Sequence, residues 1–217
     1  MFELGTSRRI VSLVLLVVSA ICLKKTIHFG PILEQGSDHK MKYPEVATFD
    51  LDYTVWPCYC DSHISPPLKP IRGSSGEVRT VVDASGYQVT IYPDIYRILA
   101  DLKQNGVKLI SASRTWAPDV AQQMLKTFKM SYNGSIIPLS EVFDISEWGE
   151  RSKVGHIRDS LKIIYGDTNL NKRDICLFDD EGRNKEVERY GIKFVYVKDP
   201  ERGATWKLYQ DYLKNNK

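Results

Sequence analysis

The sequence has little of three things: cysteine, excess charge and long apolar runs. Four cysteines occur among 217 residues, and only Cys58, Cys60 and Cys176 lie beyond residue 40. This odd number argues against the disulfide framework of a small secreted domain. Residues 41–217 carry 25 Lys and Arg against 24 Asp and Glu. They lack the basic surplus that is typical of nucleic-acid-binding proteins, so we expect no nucleic-acid partner.

The longest apolar run, residues 10–23, is short for a membrane-spanning helix. It has fourteen residues, whereas a helix needs about 17 to 25 residues to cross a bilayer. The basic pairs on either side are typical of a targeting or anchoring element. We therefore predict an anchor-like targeting segment and linker over residues 1–40, and one folded domain over residues 41–217. A membrane anchor, a cleaved signal and a true start at Met41 all stay open.

After residue 42 the sequence alternates between short apolar stretches and helical patterns. The patterns predict strands at 46–49, 107–112, 175–178 and 193–197, and helices at 93–104, 118–128, 154–165, 184–190 and 206–213. Strands separated by helices of this length indicate an α/β fold with a parallel sheet covered on both faces. One region breaks the alternation: residues 77–82 and 87–92 flank a four-residue loop that ends in glycine, which predicts a β-hairpin.

Pairs of polar residues follow three of the predicted strands. They are Asp50 with Asp52, Ser113 with Arg114, and Asp179 with Asp180. Each pair alone could form a turn or cap a helix. Ligands of parallel α/β sheets bind at the carboxyl ends of the strands, and alternate residues of an extended chain point the same way. Asp50 and Asp52 can therefore face one reacting centre, as a nucleophile beside a proton shuttle does.

Several of these residues also have an ordinary structural interpretation. A lysine near a helix start, such as Lys153, is usually solvated. Ser113 could be a turn residue, and Arg114 could form a surface ion pair worth about 0–1 kcal/mol. The pattern Cys58-x-Cys60-x-x-His63 is similar to part of a zinc site, but tetrahedral sites use four ligands. We therefore do not expect zinc.

Four motifs, in this order along the chain, resemble those of the haloacid dehalogenase (HAD) superfamily. They are Asp50-x-Asp52-x-Thr54, Ser113, Lys153 and Asp179-Asp180. The wider segments are similar to the magnesium-dependent phosphatases, also called magnesium-dependent acid phosphatases, at residues 49–57, 111–115, 152–156 and 178–184. The resemblance runs from about Tyr43 to Leu213. It implies a HAD-like Rossmannoid three-layer α/β/α sandwich with a central parallel sheet, in which a short β-hairpin insert replaces a cap domain.

The resemblance also implies roles for the site residues. Asp50 would attack phosphorus to form an aspartyl-phosphate, and Asp52 would act as the general acid and base. The implied Mg²⁺ ligands are Asp50, Asp52 through its backbone carbonyl, and Asp179. Asp180 and Asn184 would orient these ligands. The implied phosphate-binding residues are Leu51, Ser113, Arg114 and Lys153, and Lys153 would also offset negative charge during catalysis.

We therefore expect an Mg²⁺-dependent phosphomonoester hydrolase. Its partner would be a phosphorylated small molecule, such as a sugar phosphate, or a phosphotyrosyl protein, since the resemblance implies both. A membrane-tethered phosphate-binding or scaffold module without turnover is the alternative. The compact form of the family implies a cytoplasmic location, and residues 10–23 leave membrane association open.

Overall fold

The computed structural model describes residues 41–216, so the predictions for residues 1–40 lie outside the described residues. The strands are β1 (Val46–Phe49), β2 (Lys69–Arg72), β3 (Val78–Val82), β4 (Gln88–Thr90), β5 (Lys108–Ser113), β6 (Lys129–Tyr132), β7 (Ser135–Pro138), β8 (Ile145–Trp148), β9 (Ile175–Asp179) and β10 (Lys193–Tyr196). The α-helices are α1 (Cys60–His63), α2 (Ile95–Gln104), α3 (Pro118–Thr127), α4 (Leu139–Val142), α5 (Lys153–Tyr165) and α6 (Trp206–Asn215). Leu170–Lys172 and Gly182–Tyr190 are 3₁₀ helices.

Five of the strands form a parallel sheet in the order β10-β9-β1-β5-β8. Phe49, at the end of β1, pairs with Ser111 of β5 on one side and with Phe178 of β9 on the other. These three strands therefore end at nearly the same level. The sheet grows from β1 toward β5 and β8 on one side, and toward β9 and β10 on the other. Such a reversal leaves a crevice at the carboxyl edge, where α/β proteins bind ligands.

Helices cover both faces of this sheet. All four residues of β1 are buried, with Ala47 and Phe49 in one apolar core and Val46 in another. The first core includes residues of α2, α3 and α6, and the second includes residues of α5. Continuously apolar strands are typical of a parallel sheet that is buried on both faces. The predicted three-layer α/β/α fold is confirmed.

The predicted hairpin is present, and it belongs to a larger antiparallel sheet. β3 pairs with β4, and the same sheet continues through β2, β6 and β7. The link between β6 and β7 is Asn133-Gly134, where both residues have positive φ. Asn-Gly is the preferred sequence of a two-residue hairpin turn. The sequence therefore marks the turn of this second hairpin, but its strands are short and partly exposed and give no clear pattern.

The region predicted as a helix over residues 184–190 forms the 3₁₀ helix Gly182–Tyr190. Its buried residues are Asn184 and Val187, three positions apart. Residues three apart lie on one side of a 3₁₀ helix, which has three residues per turn. Within residues 41–216, no helix combines the length and the apolar character needed to cross a bilayer.

Asp101 on α2 ties the first and last parts of the described domain together. Its Oδ2 accepts hydrogen bonds from the hydroxyl of Tyr43 at 3.1 Å and from the hydroxyl of Tyr209 at 2.6 Å. Tyr209 lies on α6 and is fully buried.

Because hydrogen bonds to charged groups contribute about 1.5–3 kcal/mol, Tyr209→Phe should lower the free energy of unfolding by about that amount. Urea unfolding of the full chain measures this change. Tyr43→Phe is the matched control and should cost less, since its bond is longer and less buried; an equal or larger cost for Tyr43→Phe would contradict the assignment.

Candidate active site

A cavity of about 220 Å³ opens at the carboxyl edge of the parallel sheet. Its walls come from the segments that follow β1, β5 and β9, together with Glu150 before α5. The residues that line the cavity are Asp50, Asp52, Tyr59, Asp61, Ser113, Arg114, Thr115, Trp116, Glu150, Asp180, Glu181 and Arg183. The structure thus brings five of the residues singled out from the sequence to one cavity: Asp50, Asp52, Ser113, Arg114 and Asp180.

Lys153 is buried at the base of this site, and its ammonium joins three strand ends. Nζ donates to Asp50 Oδ1 after β1 and to the carbonyl oxygen of Ala112 in β5, the latter at 2.5 Å. It also lies 3.2 Å from Oδ2 of Asp179, at the end of β9. The hydroxyl of Ser152 accepts from the N–H of Gly155 at 3.1 Å, and this N-cap starts α5 at Lys153. Lys153 is therefore buried against the carboxylates at this edge of the sheet and is not a solvated surface lysine.

The ammonium of Lys153 faces two carboxylates, so ionisation of both Asp50 and Asp179 would leave an excess of negative charge in this buried cluster. Burial is the largest cause that raises the pKa of Asp50, and the charge of Asp179 adds to it while Lys153 opposes it. Burial alone would lower the pKa of Lys153, but Asp50 and Asp179 outweigh it and hold this pKa above its usual value. We take Lys153 as charged because two carboxylates surround it. The site therefore has room for more positive charge.

Asp179 is fully buried and is fixed by several donors besides Lys153. The side-chain amide of Asn184 donates to both carboxylate oxygens of Asp179, each at 2.9 Å. The N–H of Glu181 donates to Oδ1 at 2.8 Å. These bonds set the orientation of Asp179 toward the site. Asp180 is only half-buried; burial, followed by the charge of Asp179, raises its pKa to about 6.

Asp52 lies at the cavity wall and is held by two donors. The indole N–H of Trp56 donates to Asp52 Oδ1 at 2.6 Å, and the backbone N–H of Cys60 donates to the same oxygen at 3.2 Å. Burial raises the pKa of Asp52 to about 6, and these hydrogen bonds partly offset that effect. Sequence reasoning alone does not identify Trp56 as a site residue. Trp56 lies within residues 49–57 of the family resemblance, but that resemblance gives it no role in the site.

The other residues predicted for the site, Ser113, Arg114 and Leu51, differ in their burial and in whether they line the cavity. Ser113 is buried, and its hydroxyl accepts from the N–H of Thr115 at 3.2 Å. Arg114 is half-buried, and its Nε has no hydrogen-bond partner within residues 41–216. The side chain of Leu51 is buried in the core and does not line the cavity. Only the backbone of Leu51 is therefore suited to contact a ligand.

The residues of the partial zinc pattern have separate environments. Cys58 and Cys60 are both fully buried. Burial raises the pKa of both thiols, that of Cys58 to about 12. His63 is exposed, and its Nδ1 accepts from the N–H of Tyr59 at 3.2 Å. Burial therefore favours the neutral form of both thiols in the metal-free protein.

Comparison with known proteins places these observations in a family. A family model described as Acid Phosphatase matches residues 42–217. A Saccharomyces cerevisiae protein named "Putative magnesium-dependent phosphatase" is 63% identical over 171 residues, which is 79% of this chain and 96% of that protein. A Schizosaccharomyces pombe protein named a HAD-like hydrolase superfamily protein is 37% identical over 155 residues, which is 71% of this chain and 86% of that protein.

A solved structure has a similar fold despite low sequence identity. It is the phosphatase-domain part of a Bacteroides fragilis protein, BF1531, complexed with Mg. The match has a TM-score of 0.50 and 12% identity, and it covers 81% of this chain and 41% of that chain. This likeness concerns the fold alone.

The charge imbalance around Lys153 predicts that two substitutions differ in their effect on the free energy of unfolding. Removing one partner of a buried ion pair costs about 3–5 kcal/mol, so Lys153→Met should lower the free energy of unfolding by about that amount. Asp50→Asn leaves Lys153 paired with Asp179 and should keep or raise stability. Urea unfolding of the full chain with a metal chelator present measures both.

Lys207→Met is the control, because Lys207 forms an exposed pair with Asp211. Exposed pairs contribute about 0–1 kcal/mol, so this change should be nearly neutral. A loss of stability in Asp50→Asn as large as that in Lys153→Met would show that unbalanced negative charge around Lys153 does not destabilise the domain.

Proposed function

This chain belongs to the acid phosphatase family of the HAD superfamily, and from that membership we propose that it is an Mg²⁺-dependent phosphomonoester hydrolase that acts through an aspartyl-phosphate. The observation that carries the proposal is the buried cluster in which Lys153 contacts Asp50 and Asp179. This cluster lies beside a cavity that also holds Ser113 and Arg114. We further propose that residues 41–217 are the catalytic domain and that residues 1–40 are an anchor-like or targeting segment.

Asp50 is the proposed nucleophile. Its backbone is fixed by a hydrogen bond from its N–H to the carbonyl of Phe178 at 2.9 Å, and Lys153 donates to its Oδ1. The other carboxylate oxygen is then available to attack phosphorus. A P–O bond forms to Asp50 while the P–O bond to the leaving group breaks. Water then hydrolyses the aspartyl-phosphate and releases inorganic phosphate, which regenerates the carboxylate.

Asp52 is the proposed proton shuttle. It gives a proton to the departing oxygen in the first step and removes a proton from the attacking water in the second. A general acid and base works best when its pKa lies near the working pH. The pKa of about 6 that burial gives Asp52 supports this double role.

Three side chains are proposed to bind the phosphate group. Lys153 supplies a buried positive charge, and the hydroxyl of Ser113 can donate to a phosphate oxygen. Arg114 can donate from more than one guanidinium nitrogen, which suits the oxygens of a phosphate. Donors fixed before the reaction stabilise charge that develops in the transition state. Leu51 can contribute only its backbone N–H.

The residues present fit an Mg²⁺ ion. No three His, Cys, Asp or Glu side chains of residues 41–216 form a metal site by themselves. Mg²⁺ is usually held by one or two carboxylates, with waters and substrate phosphate completing its ligands. We propose Asp50, Asp179 and the backbone carbonyl of Asp52 as ligands, with Asn184 and Asp180 orienting them. When bound, the ion neutralises the repulsion between these carboxylates and an anionic phosphate.

The size of the cavity bears on the substrate. At about 220 Å³ it is smaller than the 300–1,000 Å³ of typical small-molecule sites. It can enclose a phosphate and the atoms next to it, and the rest of a substrate would lie outside. Tyr59 and Trp116 line this opening and are 49% and 74% exposed. Both proposed substrate classes fit, namely a phosphotyrosyl protein and a phosphorylated sugar or other small molecule.

Substitution of Asp50 tests the covalent mechanism. Asp50→Asn removes the nucleophile and should abolish Mg²⁺-dependent release of phosphate from an aryl phosphate. Acid-quenched wild-type protein should carry ³²P from a labelled substrate, and Asp50→Asn should carry none. Full activity in Asp50→Asn would disprove the mechanism. Wild-type protein that binds beryllium fluoride with Mg²⁺ but hydrolyses nothing would favour the scaffold alternative.

Substitution of Asp179 tests the metal site. Asp179→Asn should raise the Mg²⁺ concentration needed for half-maximal activity by at least the 10- to 100-fold that loss of a supporting contact to a metal ligand costs. Titration of Mg²⁺ into chelator-treated protein measures this. Asp211→Asn changes an exposed carboxylate and should leave the requirement unchanged. Equal Mg²⁺ requirements in wild type and Asp179→Asn would exclude Asp179 as a ligand.

A further inference from the structure

A tight turn directly after β1 brings Trp56 back to Asp52. The carbonyl of Leu51 accepts hydrogen bonds from the N–H groups of Thr54, Val55 and Trp56 at 3.3, 2.8 and 3.3 Å. The N–H of Tyr53 donates to the carbonyl of Trp56 at 2.7 Å. Tyr53 has a φ of 54°, which is uncommon for a residue other than glycine. The backbone of this turn is thus closely determined by its own hydrogen bonds.

Other parts of the domain fix the same turn from outside. The N–H of Tyr92 donates to the carbonyl of Val55 at 3.2 Å, and the N–H of Ala204 donates to the carbonyl of Thr54 at 3.0 Å. The indole of Trp56 is fully buried and stacks on Phe128, with ring centroids 6.1 Å apart. The indole nitrogen therefore has a fixed position from which to donate.

The hydrogen bond from Trp56 goes to one oxygen of Asp52 only. Trp56 Nε1 and the N–H of Cys60 both donate to Oδ1. Oδ2 is then the oxygen left to exchange a proton, and Asp52 lines the cavity. A carboxyl group held by one oxygen has a restricted side-chain torsion, which fixes where the second oxygen can act. General acid catalysis depends on this placement.

We propose that Trp56 is a positioning residue that holds Asp52 by Oδ1 so that Oδ2 can protonate the leaving group. This inference rests on the proposed function, in which Asp52 is the general acid. In this proposal the buried Trp56 positions Asp52 in addition to packing in the core. Loss of the indole N–H should therefore lower kcat/KM more for substrates whose leaving group needs a proton than for substrates whose leaving group does not.

The test measures kcat/KM for a series of aryl and alkyl phosphates with leaving groups of increasing pKa. With an irreversible first step, kcat/KM reports the transfer of phosphate to Asp50 and excludes the later hydrolysis. Trp56→Phe keeps an aromatic ring but lacks the donor. We expect kcat/KM to fall about 10- to 100-fold for alkyl phosphates, less than the full 10²- to 10⁴-fold that a general acid contributes, because Asp52 itself is kept. We expect less than about a threefold fall for p-nitrophenyl phosphate, whose leaving group needs little protonation.

Two comparison variants bracket this result. Asp52→Asn should give the steepest dependence on leaving-group pKa, because the acid itself is lost. Phe128→Leu alters the packing against Trp56 but keeps its N–H, so it should keep the wild-type dependence even if stability falls. If Trp56→Phe does not fold, β-(3-benzothienyl)alanine at position 56 replaces the N–H with sulfur in a ring of nearly the same shape.

The inference is overturned if the donor-free variant lowers kcat/KM by the same factor for every substrate, since that is the effect of a purely structural role. Failure of the proposed function looks different. In that case wild-type protein releases no phosphate, or Asp50→Asn stays fully active, before Trp56 is changed at all.

Discussion

The contact of one buried ammonium, that of Lys153, with carboxylates from two strand ends is the interaction on which the site depends. Charges removed from water are expensive to keep unless they are paired. Here one ammonium faces both Asp50 and Asp179, so the pairing is incomplete. Ionisation of both carboxylates therefore costs stability in the metal-free protein, as the raised pKa of Asp50 indicates, and a divalent cation would offset that cost. Functional sites commonly retain such unfavourable arrangements when the surrounding structure holds them in place.

The fold supplies that surrounding structure. The parallel register ends β1, β5 and β9 at one level, and the N-cap of α5 begins the helix where Lys153 can reach all three strand ends. Each charged group is then fixed by a neighbour of different origin. Asn184 orients Asp179 from a 3₁₀ helix, and Trp56 holds Asp52 from a tight turn. The geometry of the site therefore comes from side-chain hydrogen bonds whose donors are held by different backbone elements.

Much of this arrangement is predictable from the sequence, and the features that were not predicted have physical reasons. The predicted strands and α-helices end within about two residues of the observed ones, because apolar periodicity, proline and glycine are local signals. β2, β6, β7 and β8 are missed, although Asn133-Gly134 marks the turn between β6 and β7, since short strands that are exposed or half-buried lack clear periodicity. The burial of Lys153 depends on tertiary packing, and without the family motif nothing local distinguishes it from a surface lysine. The contact of Trp56 with Asp52 requires the positive φ of Tyr53, which no residue pattern predicts.

The most direct test of the charge account is the affinity of the full chain for Mg²⁺, measured by titration calorimetry on wild type, Asp50→Asn and Lys153→Met. If excess negative charge recruits the cation, Asp50→Asn should bind Mg²⁺ at least about tenfold more weakly, as expected from the loss of a carboxylate ligand. Lys153→Met should bind Mg²⁺ at least as tightly as wild type, because it removes a competing positive charge. Equal weakening in both variants would contradict the account, since it would mean that Lys153 supports the metal site by shape and not by charge.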